Sequence, residues 1–238
     1  MSAAEAAALQ VIAMHGWCGE ASHWQPWRRR FATAHWHWQS GERGYGSAEP
    51  QLPTWLERAG RRVLIGHSLG PHLLPPELWA EAEAVVLLAG FGRFVPAGPP
   101  GRRLRRALST MERQLDNSDS ARAMLSRFLC QAAAPDPVEL SPSGPLQGPL
   151  GPAQLLRLRR DLQLLSNTEG LPTGFPHGAP VLVVEAAQDQ IVTPEARELL
   201  RQELPRAELV SLPDAGHSLL SAPVLPLVLP WLQRTLAP

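Results

Sequence analysis

Three short segments carry side chains able, together, to open an acyl bond. The run Val63-Leu64-Ile65 leads straight into Gly66-His67-Ser68-Leu69-Gly70, an apolar strand followed by G-x-S-x-G. A serine on so tight a strand-to-helix turn stands clear of the sheet at a helix N-terminus, where free amides and the dipole favour developing negative charge. Glycine is needed at 66 and 70 because side chains there would collide with the neighbouring strand and helix. A hydroxyl is a weak nucleophile by itself, so Ser68 requires a base and an acid to orient that base. Asp189 stands just beyond the apolar run Pro180 to Glu185, and His217 just beyond Leu209 to Leu212, in the chain order Ser, Asp, His. Three strand ends then aim a nucleophile, an acid and a base at one point. Asp214 and Glu185 are alternative carboxylates for the acid.

A fourth segment, His15-Gly16-Trp17, follows the first apolar run. A loop there can lend a backbone N–H to an oxyanion, partnered by the amide after the nucleophile, so the expected donors are Trp17 and Leu69. Trp17 can also wall an acyl pocket. Cys18 beside it follows no elbow and has no expected base. The other histidines, at 23, 35, 37, 67, 72 and 177, form no H-E-x-x-H and no cluster with carboxylates, so neither a metal nor another cofactor is expected.

The elements that must hold these groups follow from hydropathy. Apolar runs at Leu9–Met14, Arg62–Ile65, Ala84–Ala89, Val181–Glu185 and Glu208–Leu212 read as parallel strands buried on both faces, with a weaker strand at Ala34–Trp38. Helices are expected at Trp24–Phe31, Leu52–Ala59, Pro194–Glu203 and Leu225–Leu236. Such alternation specifies an α/β fold: a mostly parallel sheet of about six strands with flanking helices and ligands at the strand carboxyl ends. The rhythm breaks from 96 to 176, which reads as an inserted helical cap between core parts 1–95 and 177–238. Residues 134–152, APDPVELSPSGPLQGPLGP, form a turn-rich linker.

The 238 residues suit one domain with an insertion, and 44% apolar against 18% charged residues suits a chain that buries a core. Twenty-two basic residues, all arginine, balance 22 acidic ones, so neither nucleic acid nor an anionic membrane is an expected partner. Cys18 and Cys130 read as reduced thiols. The first residues lack a basic leader and run directly into a core strand, and no stretch reaches membrane-helix length, so a cytoplasmic monomer is expected.

In order and spacing these motifs resemble the α/β-hydrolase superfamily over essentially the whole chain apart from the cap. The resemblance implies a triad of Ser68, Asp189 and His217 beneath a mobile lid. Pro71, Pro75 and Pro76 depart from the family's usual elbow helix and should shorten or kink it. The His-Gly-Trp loop, the small size and an arginine-bearing lid are similar to the carboxylesterases that demethylate pimeloyl-acyl carrier protein methyl ester in biotin biosynthesis. Arg102, Arg103, Arg105 and Arg106 crowd one segment, with Arg113, Arg122 and Arg127 beyond and Arg157, Arg159 and Arg160 in a second patch. A solvated helix face laced with i to i+4 ion pairs would account for this cluster, and so would a surface that docks an acidic acyl carrier protein. A generalist esterase or thioesterase, or an inactive scaffold used for binding, are the alternatives.

Overall fold

The computed structural model describes residues 9–33, 36–57, 60–136, 146, 148–220 and 224–237. Six strands make one sheet: β1 (Gln10–Met14), β2 (His37–Gly41), β3 (Arg62–His67), β4 (Ala84–Leu88), β5 (Val181–Ala186) and β6 (Glu208–Leu212). Their spatial order is β2-β1-β3-β4-β5-β6, and every pairing is parallel. The two-residue period of a strand divides the apolar side chains between faces. Val11, Ala13, Val63, Ile65, Val86, Leu88, Leu182 and Val184 point to one core, and Ile12, Met14, Leu64, Val85, Leu87, Val181 and Val183 to another. Both faces of the four central strands are therefore buried, as continuous apolar runs require, whereas the edge strand β6, expected to be buried on both faces, is largely exposed because no further strand covers it.

On the first face lie α1 (Gln25–Ala32), through Trp27 and Phe31, and α8 (Leu225–Thr235), through Val228, Trp231 and Leu232. On the second lie α2 (Gly70–Leu73), α3 (Pro76–Ala80) and α7 (Pro194–Glu203). The prolines cut the elbow helix as expected. Leu74 is extended because it precedes Pro75, and Pro76 then opens α3 in its first turn.

Two expectations need correction. The strand expected at 34–38 begins at His37, because the Trp36 amide still closes back on the Phe31 carbonyl at the end of α1. Ala34 and His35 lie outside the described residues. The helix expected at Leu52–Ala59 is absent over 52–57, while 58 and 59 lie outside the described residues. The amides of Thr54 and Leu56 bond instead to the side-chain carbonyls of Gln39 on β2 and Gln10 on β1, at 3.3 and 2.9 Å, which takes them from helical partners.

Between β4 and β5 the described residues form no strand. They form α4 (Gly98–Gln114), α5 (Ser118–Ala133) and α6 (Pro152–Ser166), with the Asn117 side chain capping α5 through the Ser120 amide at 2.9 Å. Most of the turn-rich linker lies outside the described residues. Among the described residues no helix is long and apolar enough to cross a membrane.

Candidate active site

The carboxyl ends of β3, β5 and β6 deliver Ser68, Asp189 and His217 to one buried cluster. His217 Nε2 lies 2.9 Å from Ser68 Oγ, and Nδ1 lies 2.8 Å from Asp189 Oδ2. The three residues are 4%, 9% and 3% exposed for Ser68, Asp189 and His217. A carboxylate can only accept, so Nδ1 carries the proton and Nε2 offers its lone pair to the hydroxyl. That polarity lets the imidazole take the Ser68 proton.

Ser68 sits at φ 55°, a left-handed conformation costing a non-glycine residue on the order of 1–3 kcal/mol. The elbow is held by the Ser68 amide donating to the Leu88 carbonyl at 2.9 Å. Crowding explains the flanking glycines: a Cβ at 66 would meet the Pro71 ring, and one at 70 the Met14 carbonyl.

Asp189 is fixed by its other oxygen, which accepts from the amides of Ile191 (2.7 Å) and Val192 (2.9 Å). Burial alone would raise its carboxyl, but the hydrogen bond and charge of His217 and those two amides outweigh burial and hold it below the usual range. The alternative carboxylates are engaged elsewhere. Glu185 is clasped by both Nε and Nη2 of Arg201, and Asp214 is exposed.

Gly16 lies against the nucleophile, so close that a Cβ built on it would be 2.7 Å from Ser68 Cβ. Neither the Trp17 nor the Leu69 amide has a hydrogen-bond acceptor among the described residues, so both N–H groups are open to an outside acceptor. The Trp17 ring packs edge-on against Phe128 of α5, 4.9 Å between centroids, and its indole donates to the Leu158 carbonyl of α6 at 2.9 Å. The end of α5 reaches the histidine loop, where the Ser218 amide donates to the Ala132 carbonyl at 3.0 Å. Cys18 is buried, and burial followed by the Glu20 charge pushes its thiol up, away from nucleophilic character; Cys130 is a free, exposed thiol.

The expected arginines do not join this cluster. Arg102, Arg103, Arg105 and Arg106 on α4 and Arg127 on α5 are all exposed, and among the described residues none forms an ion pair. The nearby acids are engaged by α6 instead: Asp116 pairs with Arg159 at 2.6 Å, and Glu112 accepts from Gln163 at 2.6 Å. Arg113 donates to Ser109 and Thr110, both at 3.0 Å, extending the basic stripe.

Two contributors escaped sequence reasoning. His67 Nε2 lies 2.9 Å from the His217 carbonyl oxygen and donates to it. Asp161, 2% exposed on α6, binds Arg43 and Tyr45 of the loop after β2. A carboxylate among Leu158, Leu162 and Leu165, where helical period demands an apolar residue, was the available signal.

No family model matches this chain, and no curated protein does. Solved structures do. An esterase from Exiguobacterium antarcticum matches with TM-score 0.69 at 13% identity, over 96% of this chain and 92% of that one. A thermophilic esterase from Thermogutta terrifontis matches with TM-score 0.65 at 18% identity, over 96% and 91%. MenH from S. aureus matches with TM-score 0.65 at 12% identity, over 99% and 97%. At such identities the likeness is one of architecture, and together with the six-stranded parallel sheet and its flanking helices it establishes that this chain has the α/β-hydrolase fold.

Proposed function

We propose that this protein is a serine carboxylesterase working through an acyl-enzyme, and that its substrate is the methyl ester of a pimeloyl group on acyl carrier protein, in biotin biosynthesis. The observation that carries the chemistry is the buried relay from Ser68 Oγ through His217 to Asp189, at 2.9 and 2.8 Å. Ser68 attacks the ester carbonyl as its proton passes to His217 Nε2, and the Trp17 and Leu69 amides hold the oxyanion. His217 returns the proton to the departing methoxide, releasing methanol and leaving the acyl group on Ser68. A water then gives a proton to His217 and attacks the acyl carbon, freeing the acid and restoring the serine. Each oxyanion donor typically contributes a hundred- to a thousandfold in rate, on the order of 10²–10³.

The insertion, 96–176, serves as the cap over this site, which accords with the slight exposure of Ser68 and the bond from Ser218 to α5. The carrier reading is supported by the arginines of α4, whose charges no neighbouring carboxylate neutralises among the described residues and so steer an acidic partner. In this reading a cytoplasmic monomer meets the carrier, and Arg102, Arg103, Arg105, Arg106 and Arg127 grip it while Trp17 lines the acyl path.

Methanol release from the carrier-bound methyl ester tests the proposal. Release that is lost in Ser68→Ala, and weakened when Arg102, Arg103, Arg105 and Arg106 are neutralised, is expected. Equal turnover of free and carrier-bound esters would replace the carrier reading with a generalist esterase or thioesterase. Turnover no faster than that of Ser68→Ala would leave an inactive binding scaffold.

A further inference from the structure

A buried carboxylate is costly unless donors surround it. Asp161 has three: Arg43 Nε at 2.5 Å and Nη2 at 2.6 Å, in a bidentate clasp, and the buried Tyr45 hydroxyl at 2.6 Å. The same Arg43 donates its backbone N–H to His15 Nε2 at 3.1 Å, and His15 Nδ1 donates to the Gly16 carbonyl at 2.9 Å. Those two partners dictate one tautomer, with the proton on Nδ1. Glu42 Oε1 lies 3.6 Å from Nε2, too far for a hydrogen bond, and takes the Gly44 amide instead at 2.6 Å.

The Gly16 carbonyl belongs to the same peptide unit as the Trp17 N–H. That unit is planar and trans, so anchoring its oxygen sets the direction of its N–H. A second tie acts on the same residue, since the Trp17 indole donates to Leu158, one turn before Asp161 on α6. A third joins α6 to the loop after β2, from the Arg157 guanidinium to the Gly44 carbonyl at 2.5 Å.

We infer that Asp161, on the inserted helix α6, is a positioning residue for the oxyanion peptide Gly16–Trp17, acting through Arg43 and His15. The inference rests on the serine-hydrolase reading above. It makes α6 part of the catalytic framework, so a helix of the insertion aims the donor. A donor misaimed by a fraction of an ångström loses its value mainly in the transition state, where the charge develops.

The test compares wild type, Asp161→Asn and Tyr45→Phe on a short p-nitrophenyl ester, with active sites counted by fluorophosphonate titration and folding checked by thermal unfolding. Asp161→Asn should lower kcat per titrated site by roughly 10- to 100-fold, a partial loss of one oxyanion donor. KM and the acidic limb of the pH profile should stay in place, because the triad is untouched. Binding of an alkylboronic acid, whose tetrahedral adduct on Ser68 places an oxygen at the oxyanion site, should weaken in step with kcat/KM. Tyr45→Phe removes one donor and should give a smaller effect in the same direction. It carries the test if Asp161→Asn does not fold. Wild-type kinetics and boronate affinity in the folded variants would overturn the inference, as would a rise in KM at constant kcat. A wild-type chain with neither turnover nor labelled Ser68 would overturn the hydrolase reading itself, and this inference with it.

Discussion

The His67 ring donates to the backbone carbonyl of His217 across 2.9 Å, so the residue immediately before Ser68 holds the loop that carries His217. Their ring centroids are 5.0 Å apart, and His67 must stay uncharged there. Burial, then repulsion from His217, brings its imidazole from the ordinary 6.5 down to about 3. The unfolded chain therefore binds a proton between those values that the folded chain refuses. Stability contributed by the uncharged ring is complete above pH 6.5 and is lost as pH falls toward 3. Urea unfolding at a series of pH values should show a shallower acid slope for His67→Phe. Part of the slope should remain, because burial also holds His23 and His72 low. The same variant should lose about fivefold in kcat, the worth of one hydrogen bond of about 1 kcal/mol.

Gly16→Ala sets a Cβ 2.7 Å from Ser68 Cβ, so either the oxyanion loop or the elbow must move. Activity on p-nitrophenyl esters should fall by at least about a hundredfold, as for loss of an oxyanion donor, and the thermal unfolding temperature should drop by several degrees, because overpacking a buried site costs about 1–3 kcal/mol. Near-normal kcat would place the oxyanion peptide elsewhere.

Asp189→Asn should cost on the order of 10⁴ in kcat, because an amide no longer fixes the His217 tautomer. Asp214→Asn should leave kcat unchanged. Glu185→Gln should lower stability by breaking its clasp with Arg201, seen as a lower unfolding midpoint, with kcat per folded molecule intact. A large kcat loss in Glu185→Gln or Asp214→Asn would reassign the acid.

Reversing Arg105 and Arg106 to glutamate should raise KM for the carrier-bound ester while leaving a small free ester unaffected. Salt should weaken the wild type toward the variant, since exposed charges are screened over about 10 Å at 0.1 M. Salt-independent kinetics would remove the electrostatic argument for a carrier.

The sheet was legible because parallel strands buried on both faces read as unbroken apolar runs, and the meeting of Ser68, Asp189 and His217 because the carboxyl ends of β3, β5 and β6 open at one edge of the sheet. What was not legible depends on distant partners. The segment after Leu52 looks helical until Gln10 and Gln39 take its amides. Arg43 meets Asp161 across 118 residues, and His67 meets His217 across 150, separations that no local period reports. Strand β2 was misplaced by three residues because the alternation of Trp and His runs unbroken past the point where α1 releases the chain.

Every step proposed for this protein depends on Ser68 being an activated nucleophile. Intact-mass measurement after exposure to a fluorophosphonate tests it most directly, since the reagent modifies a serine only where a base removes its proton. One adduct is expected, mapped to the Ser68 peptide, absent from Ser68→Ala and formed far more slowly in His217→Ala. An unmodified wild-type chain, or an adduct that persists in Ser68→Ala, would contradict it.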